Sequence, residues 1–329
     1  MQPAGDPSGD SDDSGDRVLV LNPVSGAQDH VDDTVELAAD HDFAIRRTEA
    51  AGDAKQLACE AAPDADLIAA VGGDGTINEV VNGIVAADEL ETTTLGVIPA
   101  GTGNNFATNI GIEGIEHGFE VLERGRRRRI DLGVANDRAF VNSCVGGVTA
   151  EASGATTPEG KREFGVLAYV KATLETVAAF ESLSLRVEIT EEETGTERAW
   201  EGNAMFVLVG NCRRFTSARA AQANVEDGRF EVTIVEDVSP STLLGDAALD
   251  GLFDRGGEHI VRRQTPSLTI ECLDGPVEYS LDGELLEAAT LELETIQQTL
   301  NVAVGESYQP DPDAVDGPDA EPTSWASDS

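Results

Sequence analysis

The sequence predicts an α/β protein in two parts: a doubly wound parallel sheet, then a mainly antiparallel β-sandwich. Three observations carry this. Between residues 17 and 98, short apolar runs alternate with amphipathic helical patterns, the βαβαβαβ rhythm of a parallel sheet covered on both faces. Beyond Asp131 the chain changes to short β-type runs between turn residues, with one clear helical pattern, GVLAYVKATLETVAAF. A length of 329 residues is enough for two domains that each bury a core.

Residues 18–21 read as the first strand, and in the following NPVSG turn Pro23 stops it. A helix over 31–39 and a strand over 43–48 come next, then a helix over 54–62 halted near Pro63. The apolar run 67–71 is the mark of a strand buried on both faces. Gly72, Gly73 and Gly75 then free the backbone for close approach to a ligand. Ile77, Val80, Val81, Ile84 and Val85 follow at helical spacing. Residues 95–98 are the fourth strand, followed by PAGTGNNFA. In the second part, strands are expected at 139–144, 183–190, 205–210, 229–235, 267–272, 277–281 and 290–293. This gives acidic tails without a fold at 1–16 and 307–329, a nucleotide-binding domain at 17–132, and a β-rich lipid or substrate domain at 133–306.

The formal net charge is −40. Residues 1–16 and 307–329 hold eleven acids and no base, so a net −29 remains on the body. There are three lysines, and the other bases are arginines. Such a surface repels itself at low salt and is suited to molar salt, where screening removes the repulsion. It also excludes nucleic acid as a partner, since there is no global basic face. Cys59, Cys144, Cys212 and Cys272 lack metal or redox spacing and read as reduced core residues. There is no secretory n-region and no long apolar run, so we expect a cytoplasmic protein without a transmembrane segment.

The chemistry concentrates where strands end. A strand, a glycine turn and a helix N-terminus make an anion site, because free N–H groups and the helix dipole both favour phosphate. The NPVSG, Thr48, GGDGT and AGTGNN turns all fall at strand carboxyl ends, where ligands bind in open α/β sheets. Asp74 inside the glycine turn has two readings: a carboxylate facing phosphate through Mg2+, or a cap for the N–H of Thr76 or Ile77. Neither a G-x-x-x-x-G-K-[ST] loop nor the HRD and DFG motifs of protein kinases occur.

Four motifs in order, NPVSG, GGDGTINEVVNG, GVIPAGTGNNFA and LDGE, resemble the diacylglycerol kinase catalytic-domain family, which includes YegS-like lipid kinases and sphingosine kinases. IDLG, FGVLAYVKA, VGN and EDGRFEV are weaker matches between them, so the resemblance spans residues 17–304. It implies transfer of the γ-phosphate of ATP to a lipid hydroxyl with Mg2+. Thr48, Gly72, Gly73, Asp74, Gly75, Thr76, Ile77, Asn78, Gly101 and Thr102 would hold ATP, with Asn22 and Ser25 lining the same site. The family's catalytic base falls on Glu284, with Asp282 beside it and Asp74 in the catalytic set. A structural Mg2+ would fall on Asp227, with the backbone carbonyls of Asn224 and Arg229, and Asp131 would be linked to it through water. Asn105 stands where the family often has Asp, and we read it as a turn or cap position.

Each assignment has a plainer alternative. Asp282-Gly283 is also a hairpin turn, and Asp227-Gly228 an ordinary one. Arg124 and the run 126–129 could hold an anionic headgroup, or could be a strand whose arginines pair with acids. The apolar stretch at 164–170, with Leu174 and Val177, is either a lipid slot or core. Two rival functions remain: an NAD kinase, which shares a GGDGT loop and an Asn-Glu pair such as Asn78-Glu79, and a non-catalytic nucleotide or lipid regulator. The acceptor lipid, whether diacylglycerol-like or a diether glycerol, would be met at the inner face of the membrane. A homodimer is compatible with the sequence.

Overall fold

The computed structural model describes residues 16–28, 30–147, 182–190, 197–212, 223–237 and 259–311. The expected helix after Phe164 and its apolar stripe lie outside the described residues.

The first part follows the predicted alternation: β1 (Asp16–Leu21), α1 (Val31–Asp40), β2 (Ala44–Arg47), α2 (Asp53–Ala61), β3 (Ala65–Gly72), α3 (Asp74–Ala86) and β4 (Thr94–Pro99). The strands pair in parallel in the order β2-β1-β3-β4. Leu67 through Val71 of β3 are all buried, as a strand sandwiched between helix layers requires. The chain leaves β1 toward one edge of the sheet and β3 toward the other, so the crevice of the doubly wound sheet opens between NPVSG and GGDGT. α2 packs along α3, and Gly83 lets them close. A Cβ there would meet the Lys55 carbonyl oxygen at 2.4 Å and the Ala58 Cβ at 2.7 Å. The short α4 (Asn105–Asn109) and α5 (Ile115–Arg124) lead out of this part.

The second part is antiparallel: β5 (Arg126–Ala135), β6 (Arg138–Phe140), β7 (Ser143–Gly146), β8 (Leu183–Thr190), β9 (Glu197–Gly210), β10 (Phe230–Glu236), β11 (Ile260–Thr265), β12 (Ser267–Cys272), β13 (Val277–Leu281), β14 (Glu284–Ala288) and β15 (Thr290–Val304). Its separate core includes Leu185, Val207, Ile270, Tyr279 and the stacked rings of Phe140 and Phe230. Among the described residues no helix is long and apolar enough to cross a membrane.

β5, β11 and β14 are strands beyond those expected, β9 begins at Glu197 and not at 205, and three further features depart from the sequence reading. The expected strand at 139–144 is two strands, β6 and β7, around the buried Asn142. The expected strand at 290–293 is the start of a 15-residue strand, β15. It begins against β12 in the sandwich and ends beside β4, where Val302 pairs with Leu95. Its last residues therefore pack into the first core, and the two parts share one sheet. An irregularity between Ile296 and Leu300, with Gln298 at φ 48°, breaks the alternation that would have revealed its length. The assignment of 307–329 to a tail also fails at its start. Tyr308 is buried and its hydroxyl donates to Glu226 Oε1 at 2.9 Å, because its ring completes the first core.

Candidate active site

The NPVSG, GGDGT and AGTGNN turns meet. The N–H of Asn22 donates to the Val71 carbonyl at 3.0 Å, and the N–H of Ala100 donates to that of Gly72 at 2.9 Å. The Asn22 amide donates to Thr76 Oγ1 at 3.0 Å, tying the first turn to the start of α3. Gly73 and Gly101 face each other so closely that a Cβ on Gly101 would stand 2.3 Å from the Gly73 Cα. A Cβ on Gly26, at φ 57°, would meet the Ala100 carbonyl oxygen at 2.3 Å. Ser25 Oγ lies 3.9 Å from the Cβ position of Gly73. Thr48 is buried at the end of β2, with its N–H on the Leu21 carbonyl at 3.0 Å. Thr102 is exposed at the tip of the third turn. The glycines thus allow three backbones to approach at distances a side chain would prevent.

α3 starts at this junction. Its N-cap is Gly73, which has no side chain to cap the helix. The sequence reading allowed Asp74 to cap its own helix at Thr76 or Ile77, and the structure corrects that. Asp74 Oδ2 accepts the Asn105 N–H at 3.0 Å and Oδ1 accepts the Phe106 N–H at 2.8 Å. The carboxylate therefore caps α4 and fastens the third turn to the glycine loop. The N-cap of α4 is Asn104, so Asn105 is not the cap residue that the sequence suggests; it is the first residue of the helix, held through its backbone N–H. Asn104, not singled out from the sequence, does more with its side chain. Its oxygen accepts the Gly101 N–H at 2.9 Å and its amide donates to the Gly101 carbonyl at 2.8 Å. Its φ of 43° is the available clue, since Asn tolerates that conformation, but a sequence does not display it.

Two expected nucleotide contacts face elsewhere. Ile77 is buried in the first core, and its N–H donates to the Gly73 carbonyl within the helix. Asn78 is 2% exposed and is committed to the junction between the two parts. Its amide donates to the Ala139 carbonyl at 3.1 Å and to Asp282 Oδ2 at 3.0 Å, while its oxygen accepts the Asn82 amide at 3.1 Å. The apolar stripe of α3 forces this outcome, because residues 77 and 78 turn inward where 74 and 75 turn outward.

The LDGE hairpin enters from the sandwich. Asp282 (φ 52°) and Gly283 (φ 103°) form the turn between β13 and β14, so the plain hairpin reading is correct for them. Asp282 has a second role. Its carboxylate accepts the N–H groups of Val141 at 2.7 Å, Asn142 at 2.8 Å and Ser143 at 2.9 Å, besides the Asn78 amide. Burial pushes its carboxyl up to about 6, against the pull of these bonds. Both of its oxygens are taken by these donors, so the carboxylate fixes the hairpin against residues 141–143 and Asn78. Two residues on, Glu284 is partly buried and reaches the glycine loop: its Oε1 lies 3.3 Å from where a Cβ on Gly75 would stand. The structure thus brings Glu284 to the N-terminal turn of α3, 209 positions away in sequence.

The residues expected to hold a metal lie on a turn before β10. Asp131, 1% exposed, accepts the Gly228 N–H at 2.6 Å and the Gln298 N–H at 2.8 Å. Asp227 accepts the Arg229 N–H at 2.9 Å. Burial, and the charge of Asp131 nearby, push Asp227 up to about 6. Asn224 Oδ1 accepts the Glu226 N–H at 3.1 Å, which shapes the turn. A buried carboxylate on β5 and a partly buried one on the turn, in mutual repulsion and with the turn's backbone carbonyls beside them, are a hard-oxygen set of the kind that suits Mg2+. Among the described residues no three His, Cys, Asp or Glu side chains group tightly enough to ligate a metal alone, so backbone oxygens would have to complete the shell. Glu226 braces this turn. It accepts from Arg128 Nε at 2.9 Å and from the Tyr308 hydroxyl, and its carbonyl accepts the Gln298 amide at 3.0 Å.

Arg127, Arg128 and Arg129 of the arginine run are partnered at the protein surface. Arg127 donates to the carbonyls of Val121, Leu122 and Gly125, Arg128 pairs with Glu226, and Arg129 donates to the Glu91 carbonyl at 3.1 Å. Of the two readings offered by the sequence, the strand with partnered arginines is the one that these contacts fit.

The structure is thus a parallel α/β part joined to an antiparallel sandwich, with a junction of glycine turns met by an acidic hairpin. Comparison with known proteins gives the family. Residues 16–135 match the diacylglycerol kinase catalytic domain, and residues 142–304 match the YegS C-terminal NAD kinase beta sandwich-like domain. A relative from Bacillus subtilis named diacylglycerol kinase is 30% identical, over 81% of this chain and 88% of its own. One from Pectobacterium atrosepticum named YegS-like lipid kinase is 29% identical, over 86% of this chain and 94% of its own. A solved structure from Bacillus anthracis superposes with a TM-score of 0.73 at 24% identity, covering 90% of this chain and 97% of that one, which shows the shared fold. The chain belongs to the diacylglycerol kinase family of lipid kinases, phosphotransferases that act on an alcohol group.

Proposed function

We propose that this chain moves the γ-phosphate of ATP onto the hydroxyl of a glycerol lipid, diacylglycerol-like or a diether, with Glu284 as general base. The observation that carries the proposal is the approach of Glu284 Oε1 to Gly75, at 3.3 Å from its Cβ position. Phosphoryl transfer needs positioning, charge neutralisation and a base for the attacking hydroxyl. The open N-terminal turn of α3 offers backbone donors and the positive end of a helix to the phosphates. Ser25, Gly73 and Gly101 come together at that turn, and Thr48 and Thr102, at the ends of neighbouring strands, are assigned to the nucleotide with them. A carboxylate held above the turn is placed to take a proton from a hydroxyl that attacks there. Asp74 and Asp282 act through geometry, the first by joining two loops and the second by fixing the hairpin that presents Glu284. Held at Asp227, with the Asn224 and Arg229 carbonyls and with Asp131 linked through water, a structural Mg2+ would neutralise the carboxylates of that turn.

A lipid acceptor puts the chain at a membrane surface, and its charge suits concentrated salt. The test is transfer of label from γ-labelled ATP in molar KCl with Mg2+, offering a polar lipid extract and NAD separately. Label entering the organic phase supports the proposal. Label on NAD supports an NAD kinase, and bound ATP with no transfer to either acceptor supports a regulator.

A further inference from the structure

We infer that Glu79, in the middle of α3, is a positioning residue for the nucleotide, holding the turn at 48–54 in register with the glycine loop. The inference rests on the ATP-site reading above and adds to it a residue that contacts no phosphate. One oxygen of Glu79 accepts the Gly52 N–H at 3.0 Å and the other accepts the Ala54 N–H at 3.1 Å. These donors belong to the first turn of α2, whose N-cap is Gly52 at φ 87° and has no side chain to cap it. Asp53 fastens the same turn from within, accepting the N–H groups of Glu49 and Ala50 at 2.8 Å each. Those bonds hold the Asp53 carboxyl below its ordinary range. Thr48 stands at the head of this turn, bonded to the end of β1 beside NPVSG.

α3 therefore reaches both of its neighbours with carboxylates. Asp74 takes the first N–H groups of α4 and Glu79 those of α2. Each neutralises donors that would otherwise attract an anion, while α3 keeps an uncapped glycine at its own start. Of α2, α3 and α4, α3 is thus the one whose start is left for a phosphate. The Thr48 turn is also locked to the helix that carries the phosphates, since Gly83 presses α3 onto α2 a turn later. A nucleotide spanning from Thr48 to Gly75 would feel any slip between the two.

The experiment is ATP titration of the purified full chain in molar KCl, alongside steady-state transfer to a polar lipid extract. Glu79→Gln keeps the size but puts an NH2 against a backbone donor, and Glu79→Ala removes both acceptors. We expect the ATP dissociation constant and KM to rise roughly tenfold in Glu79→Gln and more in Glu79→Ala, with the lipid KM nearly unchanged. A purely structural role would lower the folded fraction without that split. A folded variant that binds ATP as wild type does overturns the inference and leaves the ATP site standing. If the variants do not fold, hydrogen exchange on wild type decides: ATP should slow exchange at 48–54 as well as at 72–77. Protection at 72–77 alone overturns the inference, and a wild-type chain that binds no ATP overturns the site reading with it.

Discussion

Removing the Asp282 carboxylate tests how the two parts are joined. Its four donors come from Asn78, Val141, Asn142 and Ser143, each 5% exposed or less, so Asp282→Ala strands them where water reaches poorly. Leaving a buried donor unpaired costs about 1–3 kcal/mol, and relaxation of the loop recovers part of it. Taking the low end for four donors gives a loss of about 4 kcal/mol, in line with about 3–5 kcal/mol for orphaning one member of a buried charged pair. For a domain of 150–250 residues that is a melting point lower by roughly 8–16 °C. Phosphoryl transfer should fall with it, because Glu284 sits on the same hairpin. The assay is chemical and thermal unfolding in molar KCl, with Glu287→Ala, exposed on the same β14, as the control. A loss under about 1 kcal/mol for Asp282→Ala would refute the claim that this carboxylate bolts the hairpin to α3.

Other outcomes follow from the same geometry. Gly101→Ala places a Cβ 2.3 Å from the Gly73 Cα, so it should abolish ATP binding by calorimetry; retained binding would mean the loops separate freely. Tyr308→Phe removes the hydroxyl bonded to Glu226 and should cost about 1–2 kcal/mol in unfolding, while a neutral result would deny the brace on the 224–229 turn. Cys144, Cys212 and Cys272 are buried, and burial raises the Cys144 thiol well above its ordinary range. Of the four, only Cys59 should react with a thiol reagent before unfolding. With a net charge of −40, raising KCl from about 0.1 M to about 2 M should raise the melting point by relieving self-repulsion. A flat salt response would contradict that reading of the acidity.

The first part was legible because its signals are local. Apolar runs such as 67–71 and the stripe from Ile77 to Ile84 announce their elements, and glycine turns mark the strand ends. Strands at 183–190, 267–272 and 277–281 were found to the residue, each bounded by turn chemistry. What escaped was long-range. The length of β15 is hidden because Gln297 and Gln298 interrupt its alternation, and β5 is hidden by four arginines, whose partners include the nearby Leu122 carbonyl and the distant Glu91 carbonyl and Glu226. The site divided the same way. The glycine turns and the DGE hairpin could be read as motifs, but the destination of each carboxylate could not. Asp74 caps a helix 31 residues away and Asp282 binds the 141–143 backbone. Glu79 is legible only as half of an Asn-Glu pair, because the turn that its carboxylate holds is 25 residues away in sequence.

The central claim is that Glu284 removes the proton from the acceptor hydroxyl above the α3 turn. Glu284→Gln, assayed for transfer of labelled γ-phosphate into polar lipid, tests it most directly because the amide keeps the shape and loses the base. The account predicts a fall in kcat of about 10²–10⁴-fold with ATP affinity and melting point nearly unchanged. Transfer at the wild-type rate in Glu284→Gln would contradict it.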